Sequence, residues 1–319
     1  MNLTNTPYDD VFRTLLNDCS SLIIPVINEV FGERYTGEET IVFSPSEHFL
    51  NRQDGVEEER ITDTSFEIRG ETVKKYHLEC QSIPDNSMLV RFFEYDTQIA
   101  LDQGELVGNV LTVTFPHSAV LFLRCSKSTP DKMKIRMVTP GGCQEYDILV
   151  MKSKQYSLEE IFVKRLLFLI PFYIFSHESR LAEYERDEEM LELLKQEYEQ
   201  IKNRLEEFLK QGIISEYTKC TIMDMSGRVL EHIASSYEAV REGVKSVMGG
   251  KILEYEAKTI RNEGLFEGRR EGRQEGRSEG RLQMLFDLVY DGVISIAEAS
   301  QKAKLSEDVF EKKMQAYRQ

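Results

Sequence analysis

Two strand-patterned stretches lying back to back constrain this chain most. Residues 59–69 (ERITDTSFEIR) and 72–83 (TVKKYHLECQSI) alternate apolar and polar side chains, and they meet at Gly70-Glu71. That pattern predicts a β-hairpin. An isolated hairpin is marginal in water, so the fold must supply further strands and a covering layer. The flanking sequence provides both. Before the hairpin, Pro7 sits at a first helical position after Thr6, and Phe12, Leu15, Leu16 and Cys19 recur at three- and four-residue spacing, which predicts a helix. After it, residues 88–103 (MLVRFFEYDTQIALDQ) predict a helix stopped by Gly104. The runs NVLTVTF, SAVLFLR, KMKIRMV and EYDILVM then predict short strands. Residues 1–155 therefore read as an α/β or α+β unit with a central sheet.

Residues 156–262 read as helical. Leu166 to Phe175 (LLFLIPFYIF) is the most apolar run, but it is about half the length of a membrane span and contains Pro171, so it reads as core. Tyr184, Leu191, Leu194, Tyr198, Ile201, Leu205 and Phe208 form a heptad-like stripe, interrupted where Asp187 takes a seam position. The stripe packs either on a partner helix of the same chain or on a second chain. Gly212 is a plausible stop.

Residues 263–281 repeat. Glu recurs at 263, 267, 271, 275 and 279, Gly follows each, and Arg269, Arg273, Arg277 and Arg281 complete EGR units of period four. A single helix would stack like charges at i, i+4 and lose about 1 kcal/mol at each Gly relative to Ala. Two readings stay open: a solvated linker, or an association element in which a Gly stripe admits a second helix. Truncation before Glu263 separates them in light scattering: a fall in oligomer mass marks association, and an unchanged mass marks a linker. Residues 282–319 predict a small helical tail without a basic recognition face.

The formal net charge of −15 over 319 residues argues against a general nucleic-acid-coating protein. The five cysteines (Cys19, Cys80, Cys125, Cys143, Cys220) form no CxxC pair, so neither a zinc ribbon nor a disulfide framework is expected. The polar, acidic start MNLTNTPYDDVF is not a secretory signal, and a cytoplasmic protein with no membrane association is the expectation.

The chemistry concentrates between Asp63 and Gln81. Alternation puts His77, Glu79 and Gln81 on one strand face and Tyr76, Leu78 and Cys80 on the other. Asp63, on the preceding strand, is within reach of Glu79 across the hairpin. Two neighbouring carboxylates repel unless a cation lies between them, and a hard ion such as Mg²⁺ suits oxygen donors. Gln81 would point at the same place. This is a layout for metal-assisted attack of water on a phosphodiester. His77 reads as a surface strand histidine outside the site.

The constellation Asp63-(x)15-Glu79-x-Gln81, with YDDVFR (8–13), RITD (60–63), YHLECQ (76–81), MLVRFFEYD (88–96), TVTFPHSAVLFLR (112–124) and the EGR tail, resembles the PD-(D/E)xK family transposase / recombination-promoting nuclease family over about residues 7–175. The resemblance implies a restriction-endonuclease-like core: a central mixed sheet flanked by helices, followed here by a mostly α-helical C-terminal region. It implies Mg²⁺- (or Mn²⁺-) dependent DNA cleavage. Asp63 and Glu79 would be metal ligands, the Cys80 backbone carbonyl a third contact, Gln81 the occupant of the family's Lys position, and Asp9 the helix-borne acid that completes the site, with Asp10 its alternate. Gln81 departs from Lys in carrying no charge. A homo-oligomer through the helical and EGR regions is expected.

Bland readings compete with each assignment. Asp9 can simply favour a helix N-terminus, and Asp63, Glu79 and Gln81 can be a solvated strand face. Residues 1–150 hold 24 Asp/Glu against 13 Lys/Arg, so DNA would need a local basic strip, with Arg13, Arg60, Lys74, Lys75 and Arg91 as candidates. The alternative is a nuclease-fold interaction protein with weak or no catalysis, and RNA is a third possible substrate.

Overall fold

The computed structural model describes residues 7–43, 47–51, 57–61, 65–82, 87–102, 104–248, 282–290, 292–303 and 305–317. The chain divides into two compact units, 1–258 and 259–319.

The first unit is α/β. Helix α1 (Pro7–Asp18) and helix α2 (Ile23–Phe31) precede β1 (Thr40–Phe43), β2 (Glu47–Asn51), β3 (Glu57–Ile61), β4 (Ser65–Arg69) and β5 (Val73–Gln81). Helix α3 (Met88–Asp102) leads to the short hairpin β6 (Glu105–Val107) and β7 (Val110–Thr112), then to β8 (His117–Phe122), β9 (Lys132–Thr139) and β10 (Gly142–Lys152). Six strands form one mixed sheet in the order β1-β4-β5-β8-β10-β9. β1, β4 and β5 run as an antiparallel series, while β8 lies parallel to both β5 and β10. A parallel neighbour requires a crossover rather than a tight turn, and α3 lies in that connection.

The predicted hairpin is present as β4–β5, with Ser65 opposite His77 and Arg69 opposite Val73. The expected single strand over 59–69 is not. Its first part belongs to β3, which pairs with β2 in a separate two-stranded sheet. Its second part is β4. The residues between, including Asp63, lie outside the described residues, as does Thr6.

Each face of the sheet has its own apolar cover. Tyr76, Leu78 and Cys80 of β5 join Phe12, Leu15 and Leu16 of α1 in the larger core. On the opposite face, Met88 and Phe92 of α3 pack with Val120, Phe122 and Ile148. The outer strand β9 is an edge with alternating character. Met133 and Ile135 face α3's core, while Lys132 pairs with Asp147 (2.8 Å) and Lys134 with Glu145 (2.6 Å) of β10.

The apolar run around Pro171 is core, as expected. Leu167–Arg180 forms a 3₁₀ stretch in which Phe168, Phe172, Ile174 and Phe175 are buried. The Phe168 and Phe12 ring centroids lie 5.2 Å apart in an edge-on contact. Helices α4 (Leu158–Val163), α5 (Leu181–Tyr184), α6 (Glu188–Lys210), α7 (Glu216–Ile233) and α8 (Glu238–Met248) follow. Asp187, the residue that broke the heptad stripe, is the N-cap of α6. Its carboxylate accepts the Glu189 and Met190 N–H groups at 3.0 and 3.2 Å. Leu194, Tyr198, Ile201 and Leu205 of α6 are buried in the same core as Val229 of α7 and Val240 and Val244 of α8, so this stripe packs within its own chain. Gly212 ends the helical hairpin at φ +70°, a conformation glycine adopts without a Cβ penalty.

The second unit holds α9 (282–290), α10 (Ile296–Ala303) and α11 (Glu307–Tyr317) around Leu285, Phe286, Ala299 and Phe310. Ser295 and Glu298 form a capping box ahead of α10. The EGR repeat lies outside the described residues. Among the described residues no helix is long and apolar enough to cross a membrane.

Replacing Phe168 by Ala should destabilise the protein by about 3–5 kcal/mol, because it opens a cavity where α1 meets the 3₁₀ stretch. A shift of the denaturant midpoint without a change in slope checks this.

Candidate functional site

Alternation along β5 sends Lys75, His77, Glu79 and Gln81 to the face that α3 covers. His77 is fully buried there, and so is Asp96 of α3. The two side chains meet at Nδ1–Oδ1, 2.7 Å. Asp96 also accepts hydrogen bonds from the Ser118 hydroxyl of β8 (2.8 Å) and the Tyr146 hydroxyl of β10 (3.0 Å). The other His77 nitrogen, Nε2, lies 3.3 Å from Glu79 Oε1. Phe92 and Tyr95 of α3 pack against the imidazole ring, with centroids at 5.0 and 5.9 Å.

This arrangement fixes charge as well as position. Burial opposes charging His77. The hydrogen bonds and charges of Asp96 and Glu79 outweigh it and raise the pKa to about 9, so both ring nitrogens donate at neutral pH. Burial likewise opposes charging Glu79. The hydrogen bond and charge of His77, the Arg91 charge and a hydrogen bond from Gln81 together hold its carboxyl below the usual carboxylate range. The Glu79 side chain is 20% exposed, whereas the His77 side chain is not exposed at all.

Glu79 and Gln81 are thus brought together, as the spacing predicted. The described β4–β5 ladder ends at Ser65 opposite His77. That is two residues short of Asp63 on one strand and of Glu79 on the other. Asp9, in the first turn of α1, is half-buried. Burial pushes the Cys80 thiol well up in pKa, and the carboxylates of Asp9 and Glu79 add to that rise, which puts both charges in the neighbourhood of Cys80. Asp10 is exposed. The Gln81 carbonyl accepts the Leu123 N–H at 2.9 Å, toward β8. Successive residues of a strand direct their backbone groups to opposite edges, so the Cys80 carbonyl faces the β4 side, beyond the last described pair.

Two expectations need correction. His77 is not a surface residue, because Asp96 gives a buried imidazolium the partner it needs. The basic strip is not one surface either. Lys74 turns to the other face and binds Glu33 at 2.7 Å. Lys75 lies on the Glu79 face, and burial lowers its pKa. The Arg60 side chain lies outside the described residues. Asp96, Ser118 and Tyr146 were missed. For Asp96 a signal existed: it falls in register with Met88, Phe92, Ile99 and Ala100 on the buried face of α3, and an acid on an apolar stripe demands a buried partner.

Among the described residues no group of three or more His, Cys, Asp or Glu side chains is arranged to hold a metal ion. His77 is not a ligand, since both its nitrogens are committed. The Glu79 carboxylate and the Cys80 carbonyl are oxygen donors of the kind a hard cation takes, and they fit one as part of a set. Comparison of the chain with protein-family models, with curated proteins and with solved structures returns no match.

Because folding raises the His77 pKa from 6.5 to about 9, its contribution is full at low pH and is lost as pH rises through about 9. Stability should fall by about 3 kcal/mol between roughly pH 6 and pH 9.5, and His77→Gln should flatten that slope. Denaturant unfolding at the two pH values tests it.

Proposed function

We propose that the chain is a Mg²⁺- or Mn²⁺-dependent DNA endonuclease with a restriction-endonuclease-like core, of the PD-(D/E)xK transposase / recombination-promoting type. The observation that carries this reading is a carboxylate, Glu79, kept ionised and oriented by a buried imidazolium at the carboxyl end of a central strand. Open α/β sheets bind ligands outside the carboxyl ends of their strands, and β5, β8 and β10 all end at that edge.

Each residue has a task in this reading. Glu79 would supply an anionic carboxylate oxygen while its Oε1 is engaged by His77. Asp63 supplies the second carboxylate and the Cys80 carbonyl a neutral oxygen. Asp9 adds negative charge from α1. Bound there, Mg²⁺ would polarise the phosphodiester and lower the pKa of a water. Gln81 hydrogen-bonds Glu79 and, lacking charge, orients groups without stabilising a developing anion. His77 and Asp96 act as positioning residues. Association of copies through the helical and EGR regions belongs to the same reading.

A second reading, a non-enzymatic interaction protein on the same fold, is favoured by the β6–β7 hairpin. Leu106, Val107, Val110 and Leu111 there are each more than half exposed, and exposed apolar clusters mark interaction surfaces.

Plasmid nicking separates the two. The protein with Mg²⁺ or Mn²⁺ should convert supercoiled DNA to open circles. Asp63→Asn and Glu79→Gln should each abolish this while the melting temperature stays within a few degrees. Equal nicking by wild type and both variants rejects the site, and absence of nicking by wild type supports the interaction reading. Cleavage of RNA but not DNA would reassign the substrate.

A further inference from the structure

Gln81 carries no charge where the resemblance would have a lysine, and the sheet register places a lysine nearby. Gln81 pairs with Phe122 of β8, and Phe122 pairs with Lys152 of β10. Gln81 and Lys152 therefore flank Phe122 in one row, two strand spacings apart, about 9.5 Å between backbones. Residues paired in this way point to the same face. Both stand at the carboxyl edge where β5, β8 and β10 end.

Lys152 is an unusual lysine. The residue is only 7% exposed, so its stem is buried along the sheet. Its ammonium meets Asp131 Oδ1 at 2.7 Å, yet the Asp131 side chain is 90% exposed. Such a solvated partner gives back little of what burying a lysine costs. It is also easily exchanged, since the carboxylate can swing into water when another anion takes its place. The adjoining β8–β9 loop is polar, with exposed Ser126, Lys127 and Ser128, and the Ser126 and Ser128 hydroxyls lie 2.8 Å apart.

We propose that Lys152 is a phosphate contact for the nucleic-acid strand, a backbone phosphate replacing Asp131 at its ammonium. This rests on the nuclease reading and adds, in a chain of net charge −15, a cation at the carboxyl edge of the strands beyond those already near Glu79. Lys152 positions the strand a few nucleotides from the bond that Glu79 addresses. Asp131 serves as a stand-in anion that keeps the ammonium paired until DNA arrives.

The two partners should then have opposite effects, which a merely structural ion pair cannot produce. Binding of a fluorescent DNA duplex by the full chain in EDTA, followed by anisotropy across a salt series, reads this directly. Lys152→Met should weaken binding about tenfold near 0.1 M salt and reduce the log–log salt slope by about one. Lys152→Arg should restore both. Asp131→Asn should tighten binding severalfold, since the phosphate no longer displaces a carboxylate. Thermal melting of each variant confirms that it folds, and the Asp131→Asn arm stands if Lys152→Met does not. If wild type binds and neither substitution changes affinity or slope, or if both weaken it alike, the Lys152 contact is overturned while the nuclease reading stands. If wild type neither binds nor nicks DNA, both fall.

Discussion

A protonated histidine buried between two carboxylates is the interaction on which this molecule's first unit turns. Removing His77 or Asp96 strips a fully buried charge of its closest partner, a far larger loss than the modest net worth of the intact pair. The network also spans elements that are remote in sequence. Asp96 gathers hydrogen bonds from β5, β8 and β10 onto α3, so the crossover helix is fixed to the sheet by directional contacts as well as by the packing of Met88 and Phe92. Nonspecific apolar packing would tolerate rotation of α3 about its axis. A carboxylate that must meet an imidazole and two hydroxyls does not.

The same network connects fold to chemistry. A glutamate on a partly covered strand face would ordinarily drift toward its neutral form. Here the cationic ring beneath it, the Arg91 charge and the Gln81 amide keep it anionic. The orientation comes from a neighbour two residues away on the same strand, so it survives any movement of the loops around it. The cost is an immobile positive charge close to whatever ligand Glu79 meets, a reason for the remaining donors to be anionic.

Much of this was legible in the sequence where local rules dominate. The β4–β5 hairpin, α3 and its stop at Gly104, the buried run around Pro171 and the Gly212 stop all follow from spacing and turn chemistry. Asp187 was legible only as an irregularity in a stripe, and a cap explains it. What escaped was non-local. Nothing local to residues 59–69 shows that this segment divides between two sheets. Alternation set His77 on the Glu79 face but could not bury it, because burial depends on an acid nineteen residues later and a helix folded over the strand. Likewise the row joining Gln81 to Lys152 exists only once three parallel strands are in register. The part of the candidate site that sequence placed best, Glu79 with Gln81, is the part that lies on one strand.

The outer strand β9 bears on how copies of this chain can meet. An edge strand offers unpaired backbone groups to any extended segment that approaches, and charged side chains along it are the usual safeguard. Lys132, Lys134 and Arg136 project from β9 at every second residue, each with a largely exposed side chain. A second sheet sliding alongside would have to strip water from that palisade before forming its first hydrogen bond. Growth of the sheet from monomer to monomer is therefore opposed on this side, where the charges must first be desolvated.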